Sequence, residues 1–188
     1  MPLIFILTFT FAQAQFFYTD SVINVPPFTQ QIEAMGEELF DKTQWSVYLL
    51  TVDDIGEQKM IAYEKNVSAS LNAPFIMLTL AVKQQKVDIY GSEGYEKVIE
   101  KDLVLRKRIY PILGAKMKGD VRYKYLEAML NGYAEIVEQV ASKHDVILKT
   151  AIGNDNINTV NVLRVIFYGV IMGAFGIYFY RRFLRKRA

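Results

Sequence analysis

The apolar residues of this chain are gathered at its two ends, and that distribution limits what the middle can be. Residues 160–180 read VNVLRVIFYGVIMGAFGIYFY, 21 residues with Arg164 as the only charge. At ~1.5 Å rise per residue, a helix of that length crosses a ~30 Å hydrocarbon core. Arg164 lies one turn inside the boundary, where its aliphatic stem lets the guanidinium reach the headgroups. Tyr178, Phe179 and Tyr180 mark the far interface, and Arg181, Arg182, Arg185, Lys186 and Arg187 follow at once. Such a cluster stays cytoplasmic, which predicts a single-pass anchor at 160–180 and a basic cytoplasmic tail at 181–188. Gly169 and Gly173 form a GxxxG step, a geometry that suits a homodimer through the membrane helix.

The other end agrees with this topology. Residues 3–12 are an apolar run of signal-peptide length, too short to span a bilayer. Ala12-Gln13-Ala14 supplies the small-x-small pattern of a cleavage site, so 1–14 is expected to be a signal peptide. The expected address is a bacterial inner membrane, with the domain between the two ends on the periplasmic side.

Charge follows the same division. Six of the 22 Lys and Arg, and none of the 20 Asp and Glu, fall in 161–188, which leaves the rest of the chain net −4. The basic balance therefore belongs to a membrane-flanking tail and argues against nucleic acid as a partner. There is no cysteine, which excludes disulfides, thiolate metal sites and cysteine nucleophiles.

Between the ends, residues 15–28 read as an extended segment in which Pro26-Pro27 stops any helix. From Thr29, Ile32, Met35, Leu39 and Phe40 fall at helical spacing up to about Lys42. Residues 45–52 (WSVYLLTV) form a β-branched and aromatic strand. Asp54-Ile55-Gly56-Glu57 resembles a capping box opening a helix to about Leu71, with Met60, Ile61, Val67 and Leu71 inward. Residues 74–82 (PFIMLTLAV) are nearly continuously apolar, as in a strand covered on both faces. A tight turn then leads to the alternating strand 86–91, a hairpin. Helical sequence continues to about Leu113, interrupted near Pro111. Leu126, Met129, Leu130, Tyr133, Ile136, Val137 and Val140 stripe a long helix from about Asp120 to Ser142. Residues 143–159 read as a polar linker. The order predicts an α/β fold, a three-layer α/β/α sandwich around a small mixed sheet over 29–142, plus the C-terminal transmembrane helix.

The middle of the chain, about 22–142, resembles the TPM-domain family of thylakoid-lumen and bacterial envelope proteins. The resemblance rests on features in order: a helix ending Leu39-Phe40-Asp41-Lys42-Thr43, the strand Val47-Tyr48-Leu49-Leu50-Thr51-Val52, and the strand at 74–82. It continues with the strand 86–91 opening into Gly91-Ser92-Glu93-Gly94-Tyr95-Glu96, then Asp102, Ile109-Tyr110-Pro111, and Gly119-Asp120 before the last helix. The resemblance implies a membrane-tethered α/β/α domain, with acid-phosphatase activity in some members, calcium binding in others, and roles in maintaining membrane complexes. The chain departs from the family at Asn72-Ala73-Pro74, where an acidic residue usually precedes the middle strand. It departs again at Thr43-Gln44, in place of Thr-Gly, and in the spacing of its 91–96 motif.

Ligands of open α/β sheets gather beyond strand carboxyl ends. On that ground Asp53, Asp54, Glu93 and Asp102 are candidate ligands of a hard divalent cation such as calcium, against a reading in which Asp54 caps a helix and the others are solvated. His144, the only histidine, falls in the linker, so hydrolysis would have to be carboxylate- and metal-assisted. There is no Gly-x-Ser-x-Gly elbow and no phosphate loop. Arg106, Lys107, Arg108, Lys116, Lys118, Arg122 and Lys124 concentrate basic charge, either as a solvated helix face or as a patch for phosphate, anionic lipid or an acidic partner. Glu64-Lys65-Asn66-Val67-Ser68 is similar to the extended acceptor sequon of bacterial N-glycosylation. The function expected is an interaction, assembly or maintenance factor for a membrane complex; the alternative is a metal-assisted phosphatase of phosphomonoesters.

Overall fold

In a computed structural model, which describes residues 15–19, 23–116 and 120–150, the apolar run after Pro74 is the centre of the sheet. All seven residues of β3 (Phe75–Ala81) are buried. β2 (Ser46–Val52) pairs parallel to it, with Ser46 opposite Phe75 and Val52 opposite Ala81. β4 (Lys86–Gly91) returns antiparallel as the predicted hairpin, through Gln85 at φ 50°. The expectations for 1–14, the anchor at 160–180 with Gly169 and Gly173, the tail at 181–188, Lys118 and the linker beyond 150 lie outside the described residues. Among the described residues no helix is long and apolar enough to cross a membrane.

The segment 15–28, expected to be extended throughout, divides in two. Phe17–Thr19 forms β1, parallel to the free edge of β2, which gives the strand order β1-β2-β3-β4. The Glu33 carboxylate fastens it by accepting from the backbone N–H of Phe16 and Phe17, each at 2.9 Å. The helix α1 (Pro26–Thr43) then starts at Pro26 instead of after it. Proline is favoured in a first helical turn, where its missing N–H would have had no partner. α1 buries Phe28, Ile32, Met35, Gly36 and Leu39, and ends at Gln44 in the left-handed region.

Helix α2 is shorter than predicted, Met60–Ser68. Asp54 does not cap it; Oδ1 of Asp54 instead accepts from the Gly56 N–H at 2.8 Å in a local turn. The inward residues are Met60, Glu64 and Ser68, with Tyr63 and Val67 packed partly behind them, while Ile61 is exposed. Because Glu64 and Ser68 are buried, the sequon-like segment does not offer its flanking residues to an enzyme.

After β4 come a 3₁₀ turn (Tyr95–Lys97), α3 (Lys101–Leu103), a π-helical stretch (Val104–Ile109) and α4 (Tyr110–Gly114). The interruption predicted near Pro111 is thus the π-helical stretch just before it. Proline has no N–H for the carbonyl four residues back and its ring crowds that carbonyl; a wider turn upstream makes room. α5 (Val121–Lys143) is close to its predicted span and is capped by Asp120, which accepts from the Arg122 N–H at 2.9 Å. Past α5 the chain doubles back at Asp145, Val146 N–H meets the Ala141 carbonyl at 3.0 Å, and Leu148 is buried. The first residues of the predicted linker therefore belong to the domain, whose compact unit ends at Leu148. His144 lies against Trp45, ring centroids 6.3 Å apart.

Alternate strand residues face opposite ways. Val47, Leu49, Ile76, Leu78 and Ile89 point toward α1 and α5, where the buried Tyr133 hydroxyl donates to the Val47 carbonyl at 2.8 Å. Leu50, Val52, Phe75, Met77 and Ala81 point the other way, toward α2.

Candidate functional site

The four carboxylates picked out in the sequence do not come together. Asp53 and Asp54 follow β2, at the end of the sheet where Ala81 pairs with Lys86. Glu93 follows β4, whose antiparallel course carries it to the opposite end, where Ser92 N–H meets the Phe75 carbonyl at 2.9 Å. At ~3.3 Å per residue, the length of β3 separates the two by roughly 20 Å. Asp102 is exposed on α3, and no group of three or more ligating side chains occurs among the described residues. The rule that ligands gather beyond strand carboxyl ends joins two loops only when their strands are parallel, and the hairpin, itself predicted, sends the end of β4 the other way.

Asp54 has a structural task instead. Its carboxylate binds the Lys83 ammonium and accepts from Gln84 Nε2 at 2.6 Å, tying the loop after β2 to the hairpin turn. The backbone adds Lys83 N–H to the Asp53 carbonyl at 2.9 Å. The hydrogen bond from Lys83, then those from Gln84 and Gly56, hold the Asp54 carboxyl down at about 2.

At the same carboxyl end of β3, on the α5 side, a groove of about 510 Å³ opens between the hairpin and the α4–α5 corner. Leu80 and Val87 form part of its floor, Tyr110, Leu113 and Tyr125 its walls, and Lys124 supplies a cation. The predicted basic run is divided around it. Arg108 is spent on Glu135 of α5 (Nε to Oε2, 2.6 Å) and Arg122 on Asp120 (2.6 Å). Arg106 and Lys107 are exposed one turn before Tyr110, and Lys116 is exposed just after α4. Tyr110, Val121 and Tyr123 are exposed large side chains around the same corner.

One group was noticed in the sequence only as part of the sequon-like segment. Glu64, on the inner side of α2, is fully buried, and neither of its carboxylate oxygens has a hydrogen-bond partner among the described residues. Thr79 Oγ1 on β3 is buried and equally unpartnered. Burial pushes the Glu64 carboxyl up to about 7; the Thr79 hydroxyl opposes the rise without reaching hydrogen-bond geometry, Asp88 adds to it, and Lys101 opposes it. The signal was present: Met60, Glu64, Val67 and Leu71 share one helical stripe. Placing Ile61 inside rotated that stripe and left Glu64 out of account.

No protein-family model and no curated protein sequence matches this chain. Solved structures do. One is the N-terminal domain of a P. gingivalis protein, 12% identical over 71% of this chain and 87% of that one, with a TM-score of 0.58. The likeness is one of fold. The BA42 protein of the psychrophilic bacterium Bizionia argentinensis is 13% identical over 71% and 90% of the two chains, with a TM-score of 0.48. The N-terminal domain of the cg2496 protein of Corynebacterium glutamicum is 11% identical over 76% and 88%, also at 0.48. The first likeness and the described architecture together make this a mixed α/β domain with a four-stranded sheet.

Proposed function

We propose that this chain is a TPM-like α/β/α domain, tethered to the periplasmic face of an inner membrane by the segment at 160–180, that serves as an interaction or assembly factor for a membrane complex. The observation that carries the reading is the groove at the carboxyl end of β3. It joins apolar floor, tyrosine walls and the Lys124 cation, with the exposed Lys116 two residues beyond Gly114 of its lining. Amphipathic aromatics beside a cation suit a segment of a partner protein that carries both apolar and acidic side chains. The separation of Asp53 and Asp54 from Glu93 weighs against the phosphatase alternative, which needs carboxylates close enough to share a cation.

The test is recovery of the partner complex. Full-length chain extracted in mild detergent should co-purify with a membrane-protein complex. The pair Tyr110→Ser/Lys124→Glu should reduce that recovery about tenfold or more, corresponding to ~1.4 kcal/mol or more of binding. Because neither side chain is in the buried core, the melting temperature should move by no more than a few degrees. A wild-type chain that runs alone and monodisperse, or equal recovery by the variant, would defeat the proposal.

A further inference from the structure

Glu64 is an anomaly that the groove does not explain. A carboxylate loses several kcal/mol of hydration on burial unless it is paired or protonated, so buried carboxyls normally have partners. Among the described residues no group meets either carboxylate oxygen in hydrogen-bond geometry. The facing hydroxyl, Thr79 Oγ1, is out of hydrogen-bond geometry. The cation on that side, Lys101, is committed to Asp88 and donates to the Ile89 carbonyl at 2.7 Å. Asp88, opposite Thr79 on β4, is itself an acidic side chain, paired with Lys101 and accepting from the Ile89 N–H at 2.8 Å. The Tyr95 hydroxyl is directed at the Ile89 carbonyl at 3.4 Å. Among the described residues Glu64 thus faces one acid, one base already paired and the Thr79 hydroxyl, which offsets only part of the effect of burial and leaves both carboxylate oxygens outside hydrogen-bond geometry.

The element that carries it is weakly held. α2 has nine residues, no side-chain cap at Lys59 and no acidic residue in its first turn. A helix so short does not persist by propensity; its packing on the sheet keeps it folded. Its inner face covers two apolar clusters: Val52, Ile55 and Ala81 in one, Leu50, Phe75 and Met77 in the other. We propose that Glu64 is a proton-binding site that makes α2 a pH-dependent cover of the sheet, docked while Glu64 is protonated and loosened when it ionises, baring the apolar face of β2 and β3.

The direction follows from the linkage. Burial raises the Glu64 carboxyl from 4.5 to about 7 in the docked state. The docked state therefore binds the proton more tightly than the open state. Its advantage is complete below about pH 4.5, declines as pH rises, and is gone above about pH 7.

The experiment is hydrogen exchange of the full-length chain in detergent micelles, wild type beside Glu64→Gln, corrected for the intrinsic pH dependence of exchange. Amides of α2 in the wild type should open about tenfold or more readily at pH 8 than at pH 5.5, as a shift of more than one unit requires. Those of α1 and α5 should not change, and α2 of Glu64→Gln should be flat between the two conditions. Equal pH dependence of α2 in both chains, or wild-type opening spread evenly over all helices, would overturn the proposal. Should the variant not fold, the carboxyl carbon of Glu64 in the wild type decides by NMR titration. A midpoint near pH 7 supports the site; one below about pH 5.5 removes it.

Discussion

Replacing Tyr133 by alanine should cost about 3–5 kcal/mol of folding stability, the largest single loss expected in the domain. Tyr133 is fully buried on α5, and its hydroxyl is the only part that could have asked for water. That demand is met by the Val47 carbonyl at 2.8 Å, so one side chain both fills the core and pins α5 to β2. Truncation opens a cavity and leaves a strand carbonyl short of a partner. Tyr133→Phe separates the two effects, since it keeps the ring and should cost only about 1–2 kcal/mol. Urea titration of both variants checks the ratio; near-equal losses would mean that the hydrogen bond, not the packing, dominates. With total stabilities of about 5–15 kcal/mol, the alanine variant would stand close to unfolding.

The second large effect comes from adding one carbon. Gly36 lies on the inner face of α1, and a Cβ placed there would be 2.5 Å from Phe16 Cγ, 2.8 Å from Phe16 Cβ and 2.7 Å from the Tyr133 hydroxyl. The Phe16 atoms belong to the base of a fully buried side chain, so they cannot swing aside as a flexible tip would. Phe16 is moreover the residue whose N–H is held by Glu33, next to the three-residue strand β1. Gly36→Ala should therefore cost about 1–3 kcal/mol, although alanine is the better helix former by ~1 kcal/mol. The loss should fall on the β1 edge first, seen as faster hydrogen exchange at Phe17–Thr19 than elsewhere. Because the Tyr133 hydroxyl is one of the obstructing atoms, Gly36→Ala and Tyr133→Phe should be non-additive, the pair costing less than the sum of its members. A stable Gly36→Ala with unchanged β1 exchange would show that Phe16 has room the packing does not indicate.

Tyr133 on Val47 and Gly36 on Phe16 are contacts between residues far apart in the chain, and here the sequence and the structure divide. The strands at 46–52, 75–81 and 86–91 were legible because their apolar residues are contiguous or alternate. The hairpin was legible because three turn residues cannot do anything longer. The span of α5 followed from its i, i+3, i+4, i+7 stripe and an Asp in the capping position. Each of these signals is local, carried by residues within a few positions of one another.

What failed had no local signal, or had one outweighed elsewhere. Pro26-Pro27 was read as a break, although proline suits a first turn as well as it suits a stop. Residues 17–19 carry too few residues to declare a strand; Glu33, fourteen or more positions away, makes them one. The candidate metal site failed although its obstacle was legible: the antiparallel return of β4, read correctly as a hairpin, sends Glu93 to the other end of the sheet from Asp53 and Asp54. The groove escaped notice because Leu80, Val87, Tyr110 and Lys124 are gathered from four separate elements. Glu64 was within reach, since the stripe of Met60, Val67 and Leu71 passes through it, but its burial depends on β3 lying beneath.

By itself, then, the sequence determined the strands at 46–52, 75–81 and 86–91, that the sheet is mixed, and where α5 begins and ends. Hydrophobic period and backbone sterics act over single turns and need no partner. Only the tertiary structure decided which strand joins the free edge of β2, which loops meet, and which carboxyl is left buried without a counter-charge. Those depend on strand direction, register and the faces that helices cover, and each is set by contacts between distant parts of the chain.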